Sequence, residues 1–193
     1  MVIEELFRST IVLFVVVDPL GNLPILVELT RGLGADGRRR AFNLATFVGS
    51  MLLLLFAFAG HQILTLFNVS LHSFKIAGGI LFLFLALQIL VYGGEKLLTK
   101  TGDVGVFPIG FPLLVGPGAI TTTMITINTA GQLVAVLSVL IVMLVSWVIL
   151  RRIESLYHFL GKVGADVIAR VMAIIMAAIA IEYILSGVRE ALQ

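Results

Sequence analysis

The stretch Val17-Asp18-Pro19-Leu20-Gly21-Asn22-Leu23-Pro24 interrupts a long apolar run near the start of the chain. Proline has no backbone N–H and clashes with the preceding turn, so a proline inside a helix bends or breaks it. Asp18 suits a helix N-cap, and Pro19 suits the first helical position. The sequence therefore predicts a helix that stops near residue 17 and restarts at residue 19.

A second stretch of this kind, Val115-Gly116-Pro117-Gly118-Ala119-Ile120-Thr121-Thr122-Thr123, lies in the other half of the chain. Gly116 suits a helix cap, and Pro117 suits the start of the next helix. All prolines of the chain fall in these two regions: Pro19, Pro24, Pro108, Pro112 and Pro117. Paired interruptions at matching places favour a binding site between broken membrane helices. Proline kinks that serve only helix packing are the alternative.

The composition is that of a membrane protein. Of the 193 residues, 60% are hydrophobic and only 12% are charged, about half the charged share of a soluble domain. This excludes a disordered or fibrous chain and argues against a soluble enzyme. Cysteine is absent, which excludes disulfides, thiolate metal sites and thiol redox chemistry. The net charge of +2 fits basic loops beside a membrane, so no nucleic-acid partner is expected.

Long gaps between charges define the predicted spans. No Asp, Glu, Lys or Arg occurs over residues 41–74, 76–94 or 104–150, and a spanning helix needs about 20 apolar residues. The last gap suits two helices with a turn at Gly131. The sequence predicts six transmembrane helices: about 6–29, 41–67, 72–93, 106–127, 132–150 and 167–188. We expect an all-α polytopic membrane protein with helices 1 and 4 broken near the bilayer midplane.

The basic residues predict an orientation, because cytoplasmic loops carry an excess of Lys and Arg. Ten of the thirteen lie in the segments 30–40, 94–105 and 151–170: Arg31, Arg38, Arg39, Arg40, Lys96, Lys100, Arg151, Arg152, Lys162 and Arg170. The other side holds Arg8, Lys75 and Arg189. Both termini are therefore predicted to lie outside.

The chain also reads as two halves of three spans, residues 1–98 and 99–193, within one membrane domain. At an offset of 94, Gln88 matches Glu182 and Gly93 matches Gly187. At an offset of 98, the motif at residues 17–19 matches the motif at residues 115–117. An odd number of spans in each half gives the halves opposite orientations, which is the inverted-repeat plan of many secondary transporters.

The two predicted helix restarts face each other at the midplane. A helix N-terminus carries about half a positive charge and unpaired N–H groups, so the pair suits a carboxylate ligand. The predicted substrate-binding residues flank the interruptions: Asp18, Pro19, Gly21, Asn22, Gly116, Pro117, Gly118, Ala119, Thr121 and Thr122. The N–H groups near Gly118 and Ala119 would hold a substrate carboxylate, and Asp18 its ammonium.

Carboxylates within the spans are the candidates for ion coupling. An isolated carboxylate in hydrocarbon costs at least ~2.5 kcal/mol, so Asp18 should face a cavity or a partner. It caps a helix, binds an ammonium group or carries a proton. Glu182 is the second candidate, with a surface position near the interface as its alternative. The role of Gln88, its match in the repeat, stays open.

The motifs at residues 18–24 and 112–120 resemble the two signatures of the MarC family, also called the neutral amino acid transporter family. These are six-span prokaryotic membrane proteins, loosely grouped with amino-acid exporters of the LysE type. The resemblance covers the whole chain. It implies a multi-pass protein of the plasma membrane that transports small neutral amino acids such as glycine and alanine, driven by a proton or sodium gradient.

Three functions compete. The first is a secondary transporter of a small zwitterion, the second an intramembrane enzyme, and the third a scaffold that transports nothing; export of other small metabolites is a variant of the first. An enzyme is not expected, because none of His61, His72 and His158 is predicted at midplane depth. No catalytic residue, metal or cofactor is expected apart from the coupling ion, H⁺ or Na⁺. The expected partners are a small neutral amino acid and membrane lipid, and the sequence leaves a homo-oligomer open.

Overall fold

A computed structural model describes residues 2–30, 33–92 and 105–192, and every regular element among them is helical. In chain order the α-helices are α1 (Val2–Val17), α2 (Leu23–Leu29), α3 (Ala35–Leu66), α4 (Leu71–Tyr92), α5 (Pro117–Ala130), α6 (Gln132–Arg151) and α7 (Ile153–Ala191). A π-helix, Gly105–Leu114, lies between α4 and α5 in the sequence. The predicted all-α fold is confirmed.

Four helices among the described residues are long and apolar enough to cross a membrane: Ala35–Leu66, Leu71–Val91, Gln132–Arg151 and Val163–Ala191. They coincide with predicted spans 2, 3, 5 and 6. Predicted spans 1 and 4 each correspond to two shorter segments, α1 with α2 and the π-helix with α5. The described part of the chain therefore consists of four long apolar helices and two pairs of shorter helical segments.

The short segments begin and end where local chemistry requires. α5 starts at Pro117 with Gly116 as its N-cap, as predicted. The predicted restart at residue 19 is wrong, because α2 begins only at Leu23. Asp18 has a φ of 46°, and this left-handed conformation takes the chain out of the helix. Residues 19–22 then form a turn before α2.

Glycines with positive φ mark two other helix boundaries. Gly131, with φ 88°, separates α5 from α6 and confirms the predicted turn. Gly161, with φ 66°, interrupts α7 before its membrane-length part begins at Val163. Both positions favour glycine, which has no Cβ to clash in this conformation.

Small residues bring α3 against the π-helix. A Cβ added at Gly105 would lie 2.6 Å from the carbonyl oxygen of Ala41, and one at Gly110 would lie 3.2 Å from that of Ala45. Gly49, one turn further along α3, is similarly close to Val115. The four-residue spacing of small residues in α3 therefore serves close packing, as is common between membrane helices.

The most extensive contact between two helices in the described part of the chain is that of α4 with α7. A Cβ at Gly79 of α4 would lie 2.8 Å from the carbonyl oxygen of Ala180, and one at Gly187 of α7 would lie 2.8 Å from that of His72. Backbones of the two helices thus approach each other at both positions. Larger side chains at these glycines would force the helices apart.

We expect Gly79→Ala to lower the unfolding free energy by about 1–3 kcal/mol, because the added methyl group overpacks the interface. Gly164→Ala is the matched control. The nearest atom to its new Cβ is the Cβ of Leu160, at an ordinary 3.5 Å, and alanine has the better helix propensity. Thermal unfolding of both variants in detergent checks the prediction, and equal stabilities would contradict the close approach of α4 and α7.

Charged side chains link elements at the two ends of the assembly. At one end, Arg38 of α3 forms an ion pair with Glu154 of α7 and donates from Nη2 to the carbonyl of Thr30, 3.3 Å away. At the other end, the Nζ of Lys75 lies 2.6 Å from the Oε1 of Glu190. The Arg38 pair brings the basic segments 33–40 and 151–154 to the same end. Several residues used in the orientation and repeat predictions lie outside the described part of the chain: Arg31, Gly93, Lys96 and Lys100.

Candidate functional site

The first interruption is organised by the side chain of Asp18. Its N–H donates to the carbonyl of Phe14 at 2.9 Å and completes the last turn of α1. Its Oδ1 then accepts the N–H of Gly21 at 2.9 Å. In a continuous helix that N–H would donate to the carbonyl of Val17. The aspartate therefore captures a backbone donor and ends the helix.

The side chain of Asn22 satisfies the carbonyls left at this break. Its Nδ2 donates to the carbonyl of Asp18 at 3.0 Å and approaches the carbonyl of Val17 at 3.5 Å. It also lies 3.5 Å from the carbonyl of Leu113, at the end of the π-helix. Asn22 thus connects the first interruption to the second, so the structure brings the two predicted motifs together.

The carboxylate of Asp18 is buried and only half satisfied. The residue is 2% exposed, and its Oδ2 has no hydrogen-bond partner among the described residues. It takes part in no ion pair within the same part of the chain. Gly21 lies directly against this carboxylate, and a Cβ there would be 2.7 Å from the Asp18 Cγ. A buried carboxylate in this state lacks charge compensation.

The second interruption is more tightly packed than the sequence suggests. A Cβ at Gly118 would lie 2.7 Å from the ring of Phe82 on α4. The N–H of Ala119 already donates to the carbonyl of Gly116 at 3.0 Å. A substrate carboxylate would have to displace that bond to be held there. The small size of Gly118 has a packing reason, so a leucine at this position is expected to disturb the fold as well as any site.

The threonines of α5 divide into two groups. The hydroxyls of Thr122, Thr123, Thr126 and Thr129 donate to the carbonyl four residues earlier, at 2.8–3.0 Å. Thr121 is fully buried, its Oγ1 has no hydrogen-bond partner in the described structure, and it faces Gly78 of α4. Of the two predicted threonines, Thr121 and Thr122, only Thr122 lines a cavity.

That cavity is a cleft between α1, α5 and α7, of about 410 Å³, which we call the three-helix cleft. Each helix lines it with residues at the spacing of one helical face. The lining consists of Glu5, Arg8, Ser9 and Val12 from α1, Thr122, Ile125, Thr126, Thr129 and Ala130 from α5, and Ile179, Glu182 and Tyr183 from α7. The cleft therefore combines three charged groups, several hydroxyls and an apolar wall.

The floor of the cleft is a hydrogen bond between Thr122 and Tyr183. Their hydroxyl oxygens are 2.5 Å apart, and Tyr183 is 8% exposed. The single hydroxyl hydrogen of Thr122 goes to the carbonyl of Gly118 at 2.8 Å, so Tyr183 donates and Thr122 accepts. This contact connects the cleft to the first turn of α5.

The predicted site residues thus fall in three places. Gly116, Pro117, Gly118, Ala119 and Thr121 lie at the second interruption, outside the cleft lining. Asp18, Pro19, Gly21 and Asn22 are buried at the first interruption, outside the cleft lining. Thr122 and Glu182 line the cleft. Gln88 lies half-buried on α4. Arg8, Ser9 and Tyr183 line the cleft but were not predicted as site residues from the sequence. Polar residues at helical spacing in otherwise apolar segments are the sequence feature that could have indicated them.

The sequence is similar to known membrane proteins over nearly its whole length. A family model described as MarC family integral membrane protein matches residues 3–192. A UPF0056 membrane protein from Archaeoglobus fulgidus is 37% identical, with 96% of this chain and 93% of that protein aligned. The UPF0056 membrane protein YhcE from Escherichia coli is 31% identical, over 95% of this chain and 91% of its own length.

A further UPF0056 membrane protein, from Methanocaldococcus jannaschii, is 30% identical over 93% of this chain and 94% of its own. No solved structure matches the chain. The family match covers nearly all residues, including both interruptions and all three helices that line the cleft. The chain belongs to the MarC family of integral membrane proteins.

Proposed function

We propose that the protein is a secondary transporter of small neutral amino acids, of the size of glycine or alanine, in the plasma membrane of a prokaryote. A proton or sodium gradient drives it. The observation that carries the proposal is the buried, half-satisfied carboxylate of Asp18 at the point where the two interrupted helical pairs meet. The substrate class follows from the resemblance of the two motifs to the transporter family.

Cation coupling is supported by the electrostatics of Asp18. A carboxylate at membrane depth is expensive unless a charge of opposite sign or water compensates it. Asp18 has neither an ion-pair partner nor a hydrogen bond to Oδ2 among the described residues. A bound proton or sodium ion would supply the missing compensation. The sequence also contains no Gly-x-x-x-x-Gly-Lys motif, which is the motif that binds nucleotide phosphates.

The helix contacts support the inverted repeat that we propose for residues 1–98 and 99–193. In such a repeat α1 is equivalent to the π-helix, α2 to α5, α3 to α6 and α4 to α7. The contact of α1 with α6 is then equivalent to that of the π-helix with α3, and the contact of α2 with α7 is equivalent to that of α5 with α4. All four contacts occur and support two related halves. The contacts of α5 with α1, α3 and α6 have no counterpart of similar extent at α2 among the described residues.

Tracer uptake into proteoliposomes tests the proposal. Purified protein should accumulate labelled glycine or alanine when a proton or sodium gradient is imposed, and accumulation should stop when the gradient is dissipated. Export of other small metabolites, the alternative transport function, predicts gradient-dependent flux of a different solute. A scaffold predicts no flux of any solute under either gradient. Absence of glycine and alanine uptake in both gradients would refute the proposed function.

Single cysteines test the proposed orientation. Ala35, at the start of α3, and Leu192, just after α7, are predicted to lie on opposite sides of the membrane, with Leu192 outside. The chain has no native cysteine, so Ala35→Cys and Leu192→Cys each give one reporter. In intact cells an impermeant thiol reagent should label only Leu192→Cys. Labelling of both variants from outside would contradict the orientation and the inverted repeat.

A further inference from the structure

We infer that the three-helix cleft is a binding site for the zwitterionic head of an α-amino acid, with Arg8 holding the carboxylate and Glu182 the ammonium group. The inference rests on the proposed function for its substrate class. In this proposal the substrate binds first in the cleft between α1, α5 and α7, and not at the helix interruptions.

The cleft has one positive and one negative side chain to bind the two charges of a zwitterion, and neither is paired with another described residue. Arg8 and Glu182 lie on different helices and line the same cavity. Within the described residues neither of them forms an ion pair or a hydrogen bond through its side chain. A charge in an apolar helix usually pairs with another charge or faces a water-filled cavity. Arg8 and Glu182 are both exposed, so both side chains are available to a ligand that carries both signs.

The net charge of the lining selects against simple anions. Glu5, one turn before Arg8, also lines the cleft, so the formal charges of the lining sum to one negative charge. A phosphate or dicarboxylate would meet two carboxylates and one guanidinium. A zwitterion adds no net charge and offers each protein group a partner of opposite sign. This charge balance favours an amino acid over an anion.

The uncharged part of the lining fits a small neutral side chain. Val12, Ile125 and Ile179 form the apolar wall, which would be unfavourable to a third charge on the ligand. At about 410 Å³ the cleft has the size of a small-molecule site. The buried Thr122–Tyr183 hydrogen bond joins this lining to the carbonyl of Gly118 in the first turn of α5. The size and the apolar part of the lining therefore suit an amino acid with a small neutral side chain.

Cysteine protection measures binding in the cleft without requiring transport. Ser9 lines the cleft and is partly exposed, so Ser9→Cys in this cysteine-free chain reports on the cavity. With purified protein in detergent, alanine at about ten times its Kd should slow thiol labelling of Ser9→Cys roughly tenfold, since about one site in ten then stays empty. Ser73→Cys, exposed on α4 outside the cleft, should label at one rate with and without alanine.

Half-ligands and charge variants test the two assigned contacts. Propionate has only the carboxylate and ethylamine only the ammonium, so neither should protect Ser9→Cys as alanine does. Adding Arg8→Gln or Glu182→Gln should raise the Kd for alanine, taken from the concentration dependence of protection, roughly 10- to 100-fold, the usual loss for a charged hydrogen bond. Arg8→Lys should retain part of the affinity. Arg189→Gln and Glu4→Gln, charge changes outside the cleft lining, should leave protection unchanged.

The outcomes separate this inference from the proposed function. Gradient-driven uptake by the wild type without any protection of Ser9→Cys would overturn the cleft and leave transport standing. Protection that disappears in Arg8→Gln and Glu182→Gln, in a protein with no uptake, would support the cleft and refute transport. Protection that persists in both variants, or equal protection by ethylamine, would overturn the assignment of a zwitterion to these two residues.

Discussion

Replacing Gly21 by alanine is expected to lower the unfolding free energy by about 2–4 kcal/mol, through overpacking and loss of a charged hydrogen bond. A Cβ at this position would overlap the carboxylate of Asp18 and lie 2.7 Å from its Cγ. That carboxylate holds the N–H of Gly21 itself, so moving it away from the methyl group breaks the bond that ends α1. Thermal unfolding of the purified variant in detergent measures the loss.

The conformation of Gly21 does not itself require glycine, because its φ is outside the left-handed region. The cost should therefore come from the contact with Asp18 alone. In an Asp18→Ala background, where the carboxylate is absent, Gly21→Ala should cost much less than in the wild type. This double-mutant cycle isolates the pair. Gly37→Ala, whose nearest contact is an ordinary 3.4 Å, is the control; a similar loss at both glycines would contradict the argument.

Local chemistry explains which parts of the fold were predictable. The end of α1 near residue 17, the start of α5 at Pro117 and the turn at Gly131 each depend on one or two residues with restricted backbone options. Long charge-free stretches likewise predicted the positions of three of the four long apolar helices, Ala35–Leu66, Leu71–Val91 and Gln132–Arg151. None of these features needs knowledge of which helix faces meet.

The prediction that the helix restarts at residue 19 was wrong, also because of local backbone conformation. The prediction placed Asp18 as the N-cap of a helix beginning at Pro19, which assumes ordinary backbone angles after the cap. In the structure Asp18 is itself left-handed, and its carboxylate holds the N–H of Gly21 within a turn. Asp18 is therefore not a helix N-cap: its carboxylate accepts a backbone N–H within a turn, and α2 begins four residues later than expected, at Leu23.

Tertiary contacts explain what the sequence left hidden. Gly118 carries the same sequence signal whether it faces a ligand or an aromatic ring, and only the position of Phe82 on α4 distinguishes the two. The three-helix cleft depends on how α1, α5 and α7 meet, and its residues are far apart in the chain. Arg8 and Glu182 were visible as charges within apolar segments, but their shared cavity was not.

Replacing Asp18 by asparagine should abolish most gradient-driven uptake while leaving the fold intact. Asparagine tolerates the left-handed conformation of residue 18 and accepts the N–H of Gly21 through its amide oxygen. Removing the buried charge stabilises the protein, whereas an amide NH₂ group without an acceptor destabilises it. The two effects oppose each other, so the unfolding free energy should change by less than about 1 kcal/mol. Loss of the charged ligand to a coupling cation should reduce uptake roughly 10- to 100-fold.

Asp18→Ala and Asp18→Glu complete the series for this carboxylate. Alanine removes both the charge and the acceptor for Gly21, so it should lower uptake and thermal stability together. Glutamate keeps the charge but has a longer side chain in a site that is 2% exposed, so it should fold less stably than the wild type. Parallel measurements of uptake and thermal unfolding then separate the two roles of the residue. Native uptake by Asp18→Asn, with unchanged dependence on the imposed gradient, would make Asp18 a structural residue only, and the coupling role would pass to Glu182 in the three-helix cleft.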